Sequence, residues 1–341
     1  MNTRPLIDRL TRTTAYIAAV VTCGCTVEGP ADTSQRDVPE PQHILIAENT
    51  HARFSSGIPP VLHVQSGDVV EVHTKEATDG QLTLDSDLDD LAALDFDPIH
   101  PLTGPIQVEG AEPGDVLAVM LHDIEVLDWG WAAIVPGFGF LADEFTEPYL
   151  RTFQLAVGAT EVEFNDRIRI PIEPFPGVMG VAPPTDSMLT TIPPRANGGN
   201  MDNKYMTAGT TVYFPVFVSG ALFSIGDTHA LQGDGEVSGT AVEAPMRVVL
   251  ELNVIKGDRD LREPEYEADE FYAVTAFATT LDEAARKATR YMIDYLVAEH
   301  GLTRNDAYML CSLAGDLKIA EVVDIPHVLV SMHMPKEVLG M

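Results

Sequence analysis

A change of hydrophobic period near residue 258 most constrains what this chain can fold into. From Ile44 to about Lys256, apolar residues fall in short runs and alternations broken by glycine, proline and aspartate, the pattern of strands joined by turns. Val61-Leu-His-Val-Gln-Ser-Gly-Asp-Val-Val-Glu-Val-His73 reads as strand, Ser-Gly-Asp turn, strand. Pro105 to Met120 repeats that layout around Pro113-Gly114, although two instances do not make a repeat array. Beyond 258 the period turns helical. Thr280-Leu-Asp-Glu283 is a capping-box sequence, apolar residues follow at 281, 284, 285, 288, 292, 295 and 296, and His300-Gly301 closes the run. Thr303 opens a second helix ending near Gly315, and strands are expected at 271–278 and 318–332. The expected class is α+β, predominantly β: a β-sandwich or barrel-like region over 44–257, then a small α+β unit over 258–341. The late helices carry no ligand pair on one face, so that unit reads as packing or assembly structure.

Two shorter segments precede these regions. Residues 1–25 read as an export signal, with Arg4, Arg9 and Arg12 ahead of the uncharged run Thr13 to Thr22. Val21-Thr22-Cys23-Gly24-Cys25 resembles a bacterial lipobox, and a lipid on Cys25 would tether the mature chain without a spanning helix. The expected location is therefore outside the cytoplasm at a membrane, or the cytoplasm if the signal is not used. Residues 26–43 are a polar, proline-bearing linker. The three cysteines make no disulfide framework, and Cys311 follows an apolar stretch that marks it as a buried thiol.

With 52 acidic and 21 basic residues, six of them lysine, the formal charge is −31. Such a surface repels phosphate backbones and argues against nucleic-acid binding. It suits a salt-rich habitat, where self-repulsion is screened.

Chemistry concentrates in Ser224-Ile-Gly-Asp-Thr-His-Ala-Leu-Gln-Gly-Asp-Gly-Glu236, where Asp227, His229, Asp234 and Glu236 stand among three glycines. Carboxylates with imidazole are ligands for a divalent metal or an acid–base set. Asp227 and His229, two apart, share a face on an extended segment. The plain alternative is a polar hairpin tip between long strands at Thr210–Leu222 and Glu236–Ile255. Three further segments are candidates to converge with it: Asn197-Gly-Gly-Asn-Met-Asp202, with Lys204 just beyond; His100 and the strand leading to Glu109; and His43, His51, His63 and His73 with Asp79. Each isolated histidine is more often a surface or satisfied core residue than a ligand. Trp129, Trp131, Phe138 and Phe140 lie in a glycine-rich, irregular stretch suited to lining a pocket. Residues 80–98, with Asp85, Asp87, Asp89 and Asp90, read as an acidic loop with one helical turn and without the spacing of a calcium site. Serine-hydrolase elbows, phosphate loops, Cys-x-x-Cys and His-Glu-x-x-His are absent from the sequence.

Four ordered motifs then carry a resemblance: Thr103 to Leu117, Pro176-Gly-Val-Met-Gly-Val-Ala182, Gly198-Gly-Asn-Met-Asp202, and Gly226-Asp-Thr-His-Ala-Leu-Gln-Gly-Asp-Gly-Glu236. From about residue 44 to the C-terminus, including Leu281 to Thr289, the chain resembles the acetamidase/formamidase family. That likeness implies homo-oligomeric assembly and metal-dependent hydrolysis of the C–N bond of a small linear or cyclic amide, with zinc as the expected metal. It makes Asp202, Asp227 and His229 the expected metal ligands, with Asp202 alternatively a base. Glu236 and Glu109 become the expected proton carriers, Glu243 a further candidate, and His51 the counterpart of an early histidine. An exported metal- or ligand-binding protein without turnover is the alternative.

Overall fold

The computed structural model describes Met1 and residues 38–341 except residue 258; the export signal, Cys25 and most of the linker lie outside the described residues. Two sheets face each other across one core. The larger has nine strands, in the order His43–Leu45, Asp68–His73, Met246–Ile255, Val116–Val126, Thr211–Pro215, Glu265–Glu267, Phe271–Ala278, Val328–Pro335 and Asp316–Glu321. The smaller runs Gly198–Asn200, Phe175–Gly180, Phe223–His229, Leu102–Val108, Thr50–His51, with Leu62–Val64 also pairing to Leu102–Val108. Alternation explains the packing: Val70, Val72, Val248 and Leu250 from the large sheet join Ile106, Met179, Phe223 and Ile225 from the small one in a single buried cluster. Truncating Leu250 to alanine there would cost about 2–5 kcal/mol. The expected α+β, predominantly β class is what the chain adopts.

The large sheet crosses the change of period at 258 without a break, and residues 38–341 form one compact unit. What changes at 258 is the cover. Leu281–His300 buries Ala284, Ala288, Met292, Ile293 and Leu296, in one cluster with Val274 of Phe271–Ala278 and Val330 of Val328–Pro335. Its ends follow the sequence: the Thr280 hydroxyl accepts from Glu283 N–H, and Gly301 closes the helix at φ 66°. The Glu283 carboxylate takes the Thr279 hydroxyl at 3.0 Å. Arg304–Ala314 follows, capped by Thr303.

Two local expectations need correction. The long strands drawn around the central motif are shorter, Thr211–Pro215 and Met246–Ile255, because Ala221, Leu222 and Glu236 take positive φ and bend the chain. The aromatic stretch is not wholly irregular: Trp129–Ile134 pairs with Tyr149–Gln154 as a hairpin. The acidic loop holds the one helical turn expected of it: Asp87 and Asp90 cap the short helix Leu88–Ala92 reciprocally, which uses their oxygens locally.

Candidate active site

The central motif is half strand and half connection. Asp227 and His229 end Phe223–His229, which lies between Phe175–Gly180 and Leu102–Val108. The chain then loops and returns antiparallel, with Ala230 N–H on Val242 O at 2.8 Å and Ala244 N–H on Thr228 O at 2.9 Å. That return sets Glu243 opposite His229. Glu243 also exchanges both backbone hydrogen bonds with Trp131, at 2.8 and 2.9 Å, so the aromatic hairpin and the ligand-bearing strand meet at one residue. Asp202 follows the Gly198–Asn200 strand and is drawn in by its N–H on Gly177 O at 3.2 Å.

Asp202, Asp227 and Glu243 meet at the floor of a cavity of about 310 Å³, with His229 against them. Five carboxyl groups line it, Asp202, Asp227, Glu236, Glu243 and Asp324, together with His100 and Asn200. Neither lysine nor arginine is among the described residues lining it. His229 Nε2 lies 3.1 Å from Glu243 Oε2 and 3.6 Å from Asp227 Oδ2, while Nδ1 lies 3.8 Å from Asp202 Oδ1. His100 Nε2 approaches Asp227 from the other side at 3.8 Å. Asp202, Asp227 and Glu236 hold left-handed backbone, at φ 40°, 49° and 46°. Such positions cost about 1–3 kcal/mol each and persist where the surroundings over-determine them.

Gln232 fixes the imidazole. Its amide nitrogen donates to Asp202 O at 2.7 Å and Ala320 O at 3.3 Å, which leaves Oε1 to accept from His229 Nδ1 at 2.8 Å. The Nε2 lone pair therefore faces Asp227 and Glu243. Two ligand groups are close enough to hold one ion, Asp227–His229–Glu243 and Asp202–His229–Glu236; the Gln232 bond favours the first.

Charge is concentrated here without compensation. Asp202 Oδ1 and Oδ2, Asp227 Oδ1 and Glu243 Oε2 are buried without a hydrogen-bond partner. Burial, reinforced by Asp202, pushes the Glu236 carboxyl well above the usual range, and burial brings Glu243 up to about 7. Burial raises Asp202 and Asp324 as well. Asp227 goes the other way: burial acts upward, but His100 and His229 outweigh it and bring it down to about 2. Burial works against a charge on His229, yet Glu243 and Asp227 hold its imidazole well above its ordinary value. Neighbouring carboxyls thus separate into ionised and protonated members.

The C-terminal region, expected to serve packing or assembly, supplies one of these acids, Asp324, and a second buried acid nearby, Glu321. Gly235 N–H bonds Ala320 O at 3.0 Å and Val322 N–H bonds Gly235 O at 3.2 Å, which brings Glu321 and Asp324 beside the 235–236 turn. Asp324 Oδ2 accepts from Asn200 at 2.7 Å, and Glu321 is raised to about 8 by burial. No spacing in the sequence marks either residue. Acids flanking the apolar pair Val322-Val323 were the available signal.

Other candidates stand elsewhere. Glu109 is corrected: it is half exposed and pairs with His63 at 3.2 Å, because Val108 takes the inward position and alternation turns Glu109 outward. His51 is half-buried outside the cavity lining, with Nδ1 on Arg53 O at 2.7 Å and Nε2 on Ser224 Oγ at 2.9 Å, and loss of hydration lowers it to about 4. His43 pairs with Asp68, His73 with Glu71, and Asp79 with Lys75. Asp234 takes the Tyr205 hydroxyl and the Lys204 ammonium at the surface. Trp131 and Phe138 do line the cavity, Trp131 donating to buried Glu76 at 2.9 Å. Cys311 is a buried free thiol.

Known proteins share both sequence and fold. An acetamidase of Mycolicibacterium smegmatis is 30% identical over 61% of this chain and 66% of its own length, just under two thirds. The crystal structure of a predicted acetamidase/formamidase from Thermoanaerobacter tengcongensis superposes with a TM-score of 0.82 at 36% identity, covering 87% of this chain and 97% of that one. An acetamidase from Bacillus halodurans gives the same score and identity over its full length. The family model described as acetamidase/formamidase matches residues 39–190 and 184–341. The chain belongs to the acetamidase/formamidase family.

Proposed function

We propose that this chain hydrolyses the C–N bond of a small amide with the help of a divalent metal, zinc being the expected ion, and releases a carboxylate with ammonia or an amine. The observation that carries the reading is the set of buried, partnerless carboxylate oxygens around His229 in a cavity without lysine or arginine. Several carboxylates cannot all be ionised so close together unless a cation or protons join them. The donor set fits an ion: Asp227 and Glu243 offer oxygen, His229 offers Nε2, and Gln232 orients the ring.

A bound metal would polarise the amide carbonyl and make hydroxide available near neutral pH. The protein's own groups supply the rest. An amide resists cleavage because nitrogen leaves poorly until protonated. Glu236, whose carboxyl is held protonated by burial and by Asp202, is the donor to that nitrogen. Trp131, Val135 and Phe138 wall the cavity and exclude water from the reacting atoms.

Ammonia release from formamide and acetamide, before and after chelation and metal return, tests the reading together with His229→Ala. Loss of both metal and hydrolysis in the variant is the expected outcome. Full metal content in His229→Ala would remove His229 from the ligand set. Metal uptake by the wild type with no turnover of any amide would favour the binding-only alternative.

A further inference from the structure

The cavity has two chemically distinct halves. The carboxyls, His100 and Asn200 crowd the floor, while Phe96, Ile99, Trp131, Val135, Phe138 and Ile192 form the walls. A dry apolar cavity of about 150 Å³ is enough to take benzene. This one, at about 310 Å³, has twice that room. Acetamide at the floor would leave most of the apolar wall facing empty space or poorly bonded water, which forfeits both hydrophobic and dispersion energy.

We propose that the substrates are neutral primary amides with an apolar substituent larger than a methyl group, of roughly five to six carbons or one six-membered ring. This rests on the amide-hydrolase reading above and narrows it. The carboxamide lies at the acid floor and the substituent against Trp131 and Phe138. Two features exclude charged relatives. A substituent bearing a carboxylate would lose its hydration against the apolar walls and finds neither lysine nor arginine among the described residues of the lining. A cationic substituent would lose its hydration against aromatic and aliphatic walls.

Phe138 sets the length limit. Its ring lies between this cavity and a second one of about 270 Å³, lined by Ile134, Leu141, Phe145 and Val237. Gly239 lets the ring settle: a β-carbon there would come within 2.4 Å of Phe138 Cδ1. Removing the ring joins the two spaces.

The test is the specificity constant of the metal-loaded full chain for acetamide, butyramide, hexanamide, octanamide, benzamide and succinamate, by ammonia release. Calorimetric titration with benzamide and acetamide reads binding separately. Burying one methylene is worth about fourfold, so hexanamide and benzamide should exceed acetamide by at least about 30-fold, with succinamate inert. Phe138→Ala should raise the octanamide-to-hexanamide ratio, and Val135→Trp should lower the benzamide-to-acetamide ratio. Ratios on one preparation are insensitive to any unfolded fraction. A flat or falling series with acetamide turned over overturns this inference and leaves the amidase reading intact. No turnover of any amide, with no heat on benzamide addition, overturns both. Unchanged ratios in both variants would detach the preference from these walls and overturn the assignment.

Discussion

Gly177 holds Asp202 in position by having no side chain: a β-carbon at 177 would come within 2.4 Å of Asp202 Oδ1 and 2.8 Å of His229 Cε1. The same glycine's carbonyl accepts the Asp202 N–H, so carboxylate and backbone are fixed from one point. Gly177→Ala must push the acid and the imidazole apart. Overpacking of this kind costs about 1–3 kcal/mol, and displaced reacting groups cost about 100-fold in turnover. The variant should melt a few degrees lower and lose activity far beyond that loss of stability. Wild-type kcat in folded Gly177→Ala would remove the constraint.

Glu236→Gln separates the proton from the shape. Glutamine mimics a protonated carboxyl, so folding and metal content should hold while kcat for a simple amide falls by about 100-fold or more. A p-nitroanilide needs little help to leave and should lose much less. Equal losses on both substrates would deny Glu236 the donor role.

His333 gives the fold a pH dependence of its own. Burial lowers its imidazole to about 4, and the Tyr266 hydroxyl donates to the neutral Nε2 at 2.6 Å. As pH falls below about 6.5 the unfolded chain takes up this proton first. The contribution is therefore present above 6.5 and lost on the way down to 4, amounting to about 3 kcal/mol at about 1.4 kcal/mol per unit. Denaturant midpoints between pH 7.5 and 4.5 should fall less steeply for His333→Gln than for the wild type. Parallel curves would count against this origin.

We propose export with lipid attachment at Cys25 from the lipobox-like sequence. Labelled palmitate should enter the wild type and be absent from Cys25→Ser, which should leave the membrane fraction. A labelled Cys25→Ser would place the lipid elsewhere, and an unlabelled wild type would make the segment something other than a lipoprotein signal.

Much of the site was legible because its chemistry is local in sequence. Asp227, His229 and Glu236 lie in ten residues, and Gly198 to Asp202 carries its own glycines. Glu243 was readable only as a neighbour, since its place opposite His229 depends on where the loop after residue 231 closes. Asp324, at the floor, and Glu321 near it were not readable, because both are brought in through pairing between 235 and 320–322, contacts with no local period. Glu109 misled for the converse reason: its motif is strong, but strand parity sends the side chain outward. The sheet's continuity across 258 was hidden likewise, since pairing of Thr211–Pro215 with Glu265–Glu267 joins segments far apart in sequence.

That continuity ties chemistry to the order in which the chain is made. The strand Asp316–Glu321 is the far edge of the large sheet, yet its last residue stands beside Glu236. A nascent chain that has reached residue 300 already carries Asp227, His229 and Glu243 but not Asp324, so the acid lining of the cavity is complete only when synthesis is nearly finished.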